Sequence, residues 1–373
     1  MAGFAMEGAN GLIRTNVAAY VRGALYYEFI ERDADGKPIM RPGTLKGTKA
    51  IGWFIKEYGI AQVSMNITDI NATPLHVAFD EVCRAAQARG LRVTGTEIVG
   101  LVPERAVIDA GKYFLRKQHR STGIPKEDIL NIAIKSMGLD DLRPFVPEEK
   151  VIEYLLDADN NNNDKLTALT VRGFADETLR ESPAPGGGSV AAYMGALGAA
   201  LGTMVANLSA HKPGWDDRWD EFSQWADRGL ELETELLHLV DEDTEAFNRI
   251  MAAFGMPKNT EEDKRLRSEA IQSATLFAAQ VPLETMKTSF KAFEICKAMA
   301  ETGNPNSVSD AGVGALAARA AVLGAGLNVK INASSLKDKL VADGLVAEAE
   351  KLMKDADAAE REIMTIVENT IKK

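Results

Sequence analysis

The spacing of apolar residues changes character along the chain. In the first part, a helical period bounded by prolines and glycines predicts helices over residues 43–59, 74–90, 103–118 and 125–138. An alternation of apolar and polar positions predicts a strand over residues 61–69, and the segment over 91–102 is predicted to be a second strand. Strands that alternate with helices are typical of an α/β or α+β domain.

Beyond residue 165 the alternation is absent, and long helical patterns predict an all-α antiparallel bundle. The predicted helices cover residues 167–181, 189–210, 216–254, 260–302, 310–328 and 334–373. We expect the third and the fourth of them to break internally.

The run DADNNNNDK contains four consecutive asparagines and predicts a flexible linker between the two parts. The expected organisation is an unassigned segment over 1–42, an α/β domain over 43–156, a linker over 157–165 and an all-α domain over 166–373.

Composition narrows the classes of function. The 373 residues carry a net charge of -11, which argues against nucleic acid as a general partner, because binding phosphates needs a basic surface. Cys83 and Cys296 have neither a disulfide nor a zinc spacing, and the N-terminus lacks the pattern of a signal peptide, so we expect a cytoplasmic protein. The histidines are scattered and form no zinc or Ser-His-Asp motif, so we expect no metal.

The stretch SPAPGGGSVAA opens a segment, residues 182–211, without Asp, Glu, Lys or Arg. It lacks the lysine of a phosphate-binding P-loop, and alanine and glycine make it too weakly apolar for a membrane span. We therefore expect a helix buried on all sides, with Ser189 as its N-cap. The free N–H groups at such a helix start suit an anionic or carbonyl-bearing ligand, and a capped turn without a ligand explains the glycines equally well.

An acidic residue interrupts the apolar face of the helix predicted over 216–254. The apolar positions of that face are Leu232, Leu236, Leu239, Ala246 and Ile250. Asp243 falls on the same face, where a carboxylate is costly unless it is paired or neutral. A carboxyl group tuned toward neutrality can act as a general acid or base, whereas a buried ion pair with arginine, or a face that turns outward, would be purely structural. We expect Asp241 and Glu242, on other faces, to be solvated.

A second helix of small residues also follows a polar turn, in the sequence GNPNSVSDAGVGA. Asn304, Ser307 and Asp310 lie at its entrance, where they can face a ligand. Ser307 and Asp310 also have the spacing of an acidic capping box, which needs no ligand.

Taken together, SPAPGGGSVAA, LVDEDTEAF with MPKNTEEDKR, and GNPNSVSDAGVGA resemble the cyclodeaminase domain of the formimidoyltransferase-cyclodeaminase family. A family of methenyltetrahydrofolate cyclohydrolases uses the same scaffold. LKGTKAIGWFIKEYGIAQVSMNITD and VTGTEIVGLVPERAVIDAGKYF resemble the C-terminal subdomain of the formimidoyltransferase part, and the resemblance runs from about Gly43 to the end. It implies a multidomain α+β protein, with an incomplete α/β sandwich-type N-terminal domain followed by an all-α helical bundle.

The resemblance implies a cyclodeaminase that converts 5-formimidoyltetrahydrofolate to 5,10-methenyltetrahydrofolate and ammonia, in folate one-carbon metabolism and histidine degradation. The family's catalytic aspartate corresponds to Asp243, the residue that the helical pattern singles out. The resemblance also implies a folate substrate, including polyglutamylated forms, no prosthetic group, and a homo-oligomer. Nucleic acid and membranes are not expected partners.

The family's transferase has a further N-terminal subdomain that carries its catalytic histidine, and the resemblance begins after that subdomain. We therefore expect transferase activity to be lost, and His76 does not take over the histidine's role. A cyclohydrolase on the same scaffold, and a non-catalytic subunit that binds folate or stabilises an assembly, are the alternatives.

The residues expected to bind the substrate come from all three motifs. They are Pro185, Gly186, Gly187, Gly188, Ser189, Asn207, Lys212, Asn304, Ser307 and Asp310. Lys212 and the basic region over 258–267 are candidates for the glutamate carboxylates of the substrate. A surface lysine with a packed apolar stem explains Lys212 equally well.

Overall fold

The structure is a computed structural model, and it describes residues 34–37, 44–55, 60–88, 90–141, 143–159, 165–181 and 184–372. The described residues divide into two compact units. One unit comprises the residues up to Lys117 together with Lys126–Asn160, and the other comprises Gln118–Pro125 together with Asn161–Lys373. Most of the segment over 1–42 and the centre of the expected linker lie outside the described residues, so the domain boundaries stay a prediction.

The first unit combines a two-stranded sheet with helices. β1 (Thr48–Ile55) pairs antiparallel with β2 (Ile60–Ile67), in a register that places Thr48 opposite Ile67. β2 confirms the strand predicted over 61–69.

The first unit contains five described helices, and the first three bury one face each. They are α1 (Leu75–Gln87), α2 (Glu104–Lys117), α3 (Lys126–Met137), α4 (Pro147–Lys150) and α5 (Ile152–Asp159). The first three confirm the predicted helices that begin after a proline. Val107, Leu130 and Val151 belong to the core between them.

The helix predicted over 43–59 is wrong, because this segment contains β1. Its apolar positions match a helical period, but the run Ile-Gly-Trp-Phe-Ile is rich in β-branched and aromatic residues. Such residues favour strands, and β2 supplies a partner for the whole length of β1. The pairing of β1 with β2 therefore outweighs the helical spacing of the apolar residues.

The strand predicted over 91–102 is also wrong. In the described chain, these residues form no strand, and only a single bridge joins Val102 to Val151. The N–H of Thr96 donates to the carbonyl of Gly138 at 3.0 Å, just beyond the end of α3. A backbone N–H of this segment thus bonds to the end of a helix, whereas in a sheet it would bond to a neighbouring strand.

The second unit is an all-α bundle. Its described helices are α6 (Val171–Thr178), α7 (Gly187–Ala210), α8 (Trp219–Gly255), α9 (Glu261–Thr302), α10 (Val308–Ser334) and α11 (Lys339–Ile371). The helix predicted over 167–181 is divided, because Thr170 caps the start of α6 by accepting the N–H of Gly173. A short 3₁₀ turn precedes it.

The centre of the bundle is α7, which packs against α8, α9 and α10. Its small residues allow close contact between backbones. A methyl group added at Gly198 would lie 2.9 Å from the carbonyl oxygen of Gly314 in α10, and one added at Gly314 would lie 3.0 Å from that of Gly198. Only glycine permits this approach.

The two breaks expected in the long helices are wrong, because α8 and α9 run unbroken for 37 and 42 residues. α9 continues through Pro282, which has no N–H for the carbonyl four residues earlier. Burial along both helices keeps them continuous, as at Leu236, Ala246 and Met286. A side-chain donor from α10 replaces the missing N–H.

Two helical segments of the described chain are long and apolar enough to cross a membrane, although the sequence analysis expects the first to be too weakly apolar and does not consider the second. They are Gly187–Ala210 and Pro305–Ser334. Core helices pass the same test, and 61% and 50% of their apolar windows are buried inside the structure.

Candidate functional site

Asp243 lies within α8, and its carboxylate meets the start of α7. Ser189 donates two hydrogen bonds to Oδ2 of Asp243, one from its backbone N–H at 2.9 Å and one from its Oγ at 3.0 Å. Gly186 is the N-cap of α7, so the N-cap predicted at Ser189 is wrong. Ser189 lies in the first turn, where N–H groups lack a partner within the helix, and Asp243 provides one from a neighbouring helix.

The pKa of Asp243 is raised, because burial disfavours the charged carboxylate. The two hydrogen bonds from Ser189 act in the opposite direction and only partly offset burial. No basic side chain of the described residues contributes to this shift, so the structure does not contain the buried ion pair with arginine that would have made Asp243 structural.

Gly188 provides the space that the carboxylate occupies. A methyl group added at Gly188 would lie 2.1 Å from Oδ1 and 2.5 Å from the carboxyl carbon of Asp243. Gly188 is buried, whereas Gly187 is exposed. The preceding Pro185 is buried and follows a cis peptide bond. A glycine is therefore required at position 188 for the carboxylate to reach the helix start.

On the exposed side, Gly187 faces Asn328 of α10. A methyl group added at Gly187 would lie 3.2 Å from Nδ2 and 3.7 Å from Oδ1 of Asn328. The sequence analysis missed Asn328. Its signal is that it is the only polar side chain between Arg319 and Lys330.

The remaining expected binding residues lie at the other end of α7. They are Asn207, Lys212, Asn304, Ser307 and Asp310. Because a helix rises 1.5 Å per residue, Ser189 and Asn207 are about 27 Å apart along α7. Within one chain, the expected binding residues therefore form two groups and not a single one.

At this far end of α7, two hydrogen bonds join segments that are distant in the sequence. Nδ2 of Asn207 donates to the carbonyl of Gly123 at 2.7 Å, and the N–H of Asn304 donates to Oγ of Ser209 at 2.8 Å. Nζ of Lys212 lies 4.0 Å above the ring of Trp215, so its ammonium group makes a cation–π contact within the chain.

The acidic capping box predicted from Ser307 and Asp310 does not form. Ser307 is the N-cap of α10, but its side chain makes no capping hydrogen bond. A capping box forms instead at the start of α9, where Thr260 and Asp263 exchange side-chain and backbone bonds. Ser307 is buried and Asp310 is half-buried.

The cations of the basic region over 258–267 are partly engaged by neighbours. Lys264 pairs with Glu261, and Arg265 pairs with Glu262 and Glu269. Arg267 donates to the carbonyl of Phe254. These pairs reduce the positive charge that the region offers to substrate carboxylates.

The expectation that Asp241 is solvated is wrong. Its carboxylate accepts the N–H of Leu166 at 2.8 Å and the Oγ1–H of Thr167 at 2.6 Å. Asp241 therefore holds the 3₁₀ turn that precedes α6, while Asp243, two residues later, faces α7.

Other polar sites of the described chain are weaker candidates for a functional site. No group of three or more His, Cys, Asp or Glu side chains among these residues could hold a metal ion. His76, in the first turn of α1, stacks on Tyr113 with ring centroids 4.4 Å apart, and burial lowers its pKa. A cavity of about 230 Å³ in the first unit is lined by Ile70, Asn71, Pro74, Leu75, Arg105, Ala106 and Asp109.

Comparisons with known proteins identify the family. The family model described as Formiminotransferase-cyclodeaminase matches residues 170–351, and the model described as Formiminotransferase domain matches residues 21–157. A methenyltetrahydrofolate cyclohydrolase from Methylorubrum extorquens is 37% identical over 202 residues, which are 54% of this chain and 97% of that protein. The chain belongs to the formiminotransferase-cyclodeaminase family.

Two longer members of this family match both units. The formimidoyltransferase-cyclodeaminase of Gallus gallus is 34% identical over 333 residues, which are 89% of this chain and 61% of that protein. That of Mus musculus is 37% identical over 298 residues, 80% of this chain and 55% of that protein. The chain thus spans less than two thirds of these relatives. The match to the formiminotransferase domain begins at residue 21, earlier than the motifs indicate.

Proposed function

We propose that this family member is a formimidoyltetrahydrofolate cyclodeaminase and that Asp243 is its acid–base residue. The observation that carries the proposal is a half-buried carboxyl group with a raised pKa that the first turn of α7 holds by Oδ2 alone. Oδ1 accepts no hydrogen bond from the described residues and is left for a ligand. A carboxyl group that is neutral closer to physiological pH can both accept and donate a proton.

The proposed reaction moves one proton between two nitrogens. N10 of the folate attacks the carbon of the protonated formimidoyl group, and a C–N10 bond forms. N10 then loses its proton to Oδ1 of Asp243, which returns it to the nitrogen that leaves. The bond between the carbon and that nitrogen breaks, so that ammonia departs and the 5,10-methenyl cation remains. Oδ2 keeps its bonds to Ser189 throughout.

The proposed substrate is a tetrahydrofolate derivative, including polyglutamylated forms, and this chemistry requires no prosthetic group. We place its reacting end beside Gly187 and Gly188. The absence of side chains there lets a flat heterocycle approach the backbone and the N–H groups of the helix start.

Turnover of 5-formimidoyltetrahydrofolate tests the proposal. Methenyltetrahydrofolate absorbance and ammonia release are followed for the wild type, for Asp243→Asn, and for Asp343→Asn, whose aspartate is exposed on α11. We expect Asp243→Asn alone to lose turnover while its circular dichroism and Tm stay like those of the wild type. Equal turnover by both variants would remove Asp243 from the mechanism.

A second candidate is methenyltetrahydrofolate cyclohydrolase, which the similarity to the Methylorubrum protein over nearly its full length favours. In that reaction water takes the place of ammonia at the same carbon. Comparing kcat/KM for the two substrates distinguishes the activities. Folate binding without turnover of either would indicate a non-catalytic subunit.

We also propose that the protein is cytoplasmic and assembles as a homo-oligomer. Its two cysteines are free, as in a reducing compartment. Exposed apolar side chains line α7 and α10, among them Leu197, Met204, Leu208, Leu327 and Ile331. Such a surface supports self-association, which sedimentation of the wild type and of Leu327→Glu would test.

A further inference from the structure

The amide of Asn328 and the carboxylate of Asp243 both lie against the start of α7, and the surface between them is here called the opening. The two side chains lie against consecutive glycines, since Asn328 faces Gly187 and Asp243 faces Gly188. Consecutive Cα atoms are 3.8 Å apart, so the amide and the carboxylate are within about 10 Å of each other. A ligand bound between the two side chains can span this separation and contact both.

One hydrogen bond fixes the orientation of this amide. Nδ2 of Asn328 donates to the carbonyl of Gly324, one turn earlier in α10, at 3.0 Å. The bond uses one of the two N–H groups and none of the acceptor capacity of Oδ1. Among the described residues, no other group bonds to this amide. Asn328 is half-buried, and its Oδ1 is not among the buried atoms without a partner, so Oδ1 is accessible to a ligand while the bond to Gly324 restrains the amide.

The residues around Asn328 do not require an amide side chain at this position for the stability of the fold. Its neighbours Leu327 and Ile331 are exposed apolar residues, and Val329 is buried in the core. The bond to Gly324 duplicates a carbonyl that already has a helical partner, Asn328's own backbone N–H, so the fold does not need this side chain. An amide that is held on one side and free on the other is typical of a group that orients a ligand.

We propose that Asn328 is a substrate-orienting residue, whose Oδ1 accepts an N–H of the formimidoyl group across from Asp243. This inference rests on the proposed cyclodeaminase function. The formimidoyl nitrogen is the one that leaves as ammonia, and it must receive a proton from Asp243 before it departs. Asn328 holds that nitrogen on the side of the opening where the carboxyl group can reach it. It takes no proton itself.

Kinetics of the full chain test this role. We expect Asn328→Leu, which removes both polar atoms at similar size, to lower kcat/KM for 5-formimidoyltetrahydrofolate about tenfold, with an unchanged Tm. The matched control is Asn248→Leu, at an exposed position of α8. Asn328→Asp keeps the acceptor and adds a negative charge facing Asp243, so the acid limb of its pH–rate profile moves to higher pH. Wild-type kcat/KM in Asn328→Leu together with an unmoved limb in Asn328→Asp would overturn the proposal.

Binding separates this proposal from the function on which it rests. In the Asp243→Asn background, calorimetric titration with 5-formimidoyltetrahydrofolate measures affinity without turnover. We expect adding Asn328→Leu to weaken binding about tenfold. If the wild type binds but does not turn over this substrate, and Asn328→Leu still weakens binding, the cyclodeaminase assignment fails and the role of Asn328 in binding stands. Equal affinity with and without Asn328, or no binding at all, overturns the role.

Discussion

Asn332 of α10 donates its side-chain amide to the carbonyl oxygen of Ala278 in α9, at 2.6 Å. Ala278 lies four residues before Pro282, so its carbonyl has no helical N–H to accept. The amide takes the place of that N–H at a buried position. One side chain thereby allows a proline within a 42-residue helix and joins two helices of the bundle.

Replacing Asn332 by alanine should therefore destabilise the bundle. We expect Asn332→Ala to lower the free energy of unfolding by about 1–3 kcal/mol, because the carbonyl of Ala278 becomes a buried acceptor without a donor. In a Pro282→Ala background the backbone N–H of residue 282 returns, and the same change should cost much less. Urea unfolding followed by circular dichroism measures both. An equal loss in the two backgrounds would contradict this account.

Adding one methyl group at Gly188 should abolish most activity. Gly188→Ala forces the carboxylate of Asp243 away from the start of α7, and displacement by about 1 Å can cost on the order of a hundredfold in rate. Gly187→Ala, whose methyl group meets only the amide of Asn328 at 3.2 Å, should lose less. Gly344→Ala, in an open part of α11, should keep full turnover and gain about 0.5–1 kcal/mol of stability. Similar kcat/KM in all three variants would disprove the ranking.

Removing the hydroxyl of Ser189 should change the pH dependence of turnover. Its hydrogen bond lowers the pKa of Asp243, so Ser189→Ala leaves burial less opposed and raises that pKa. If Asp243 acts as a base, the acid limb of the kcat/KM profile moves to higher pH. The control is Ser309→Ala, an exposed serine near the start of α10. An acid limb that does not move would show that another group titrates.

The second unit should lose stability in mild acid through His211. Nε2 of His211 accepts the N–H of Ser121 at 3.2 Å, which requires the neutral ring. His211 is exposed at the surface, but the partial burial of its ring, and then Arg120, lower its pKa below its ordinary value of 6.5. The unfolded chain therefore binds the proton more readily than the folded one. The contribution is fully present above pH 6.5 and declines as the pH falls toward the folded-state pKa.

Thermal unfolding across this range measures the effect. We expect His211→Gln, which keeps an acceptor but does not titrate, to flatten the decline of Tm between about pH 7 and 5. A slope equal to that of the wild type would assign the pH dependence to other groups.

The sequence predicts helices best where their ends are marked. Pro74, Pro103 and Pro125 begin segments that are helical, because proline pre-sets the backbone of a first turn and lacks only a free N–H. The segment over 43–59 misled because Ile51, Phe54 and Ile55 match a helical period by chance of spacing. Its strand depends on β2, a partner that a local period does not show.

Asp243 could be found from the sequence because a carboxylate on an apolar face conflicts with its surroundings, and such conflicts concentrate at functional sites. Asn328 could not be found in this way, since a lone amide near a helix end is compatible with solvent. The role proposed for Asn328 rests on its contact with Gly187 of the neighbouring helix α7. The sequence also did not show that the other expected binding residues lie at the far end of α7. Sequence motifs do not tell how far apart their residues lie in the fold.

The mutual approach of Gly198 and Gly314 has a mechanical consequence. A methyl group added at either glycine would lie 2.9–3.0 Å from the opposite carbonyl oxygen, so the backbones of α7 and α10 are in close contact there and we expect little shear between them. This contact between Gly198 and Gly314 is expected to keep the middle of the bundle rigid. We therefore expect a ligand to be admitted by motion at the ends of α7, and amide hydrogen exchange to be slowest at its centre and fastest near Gly187.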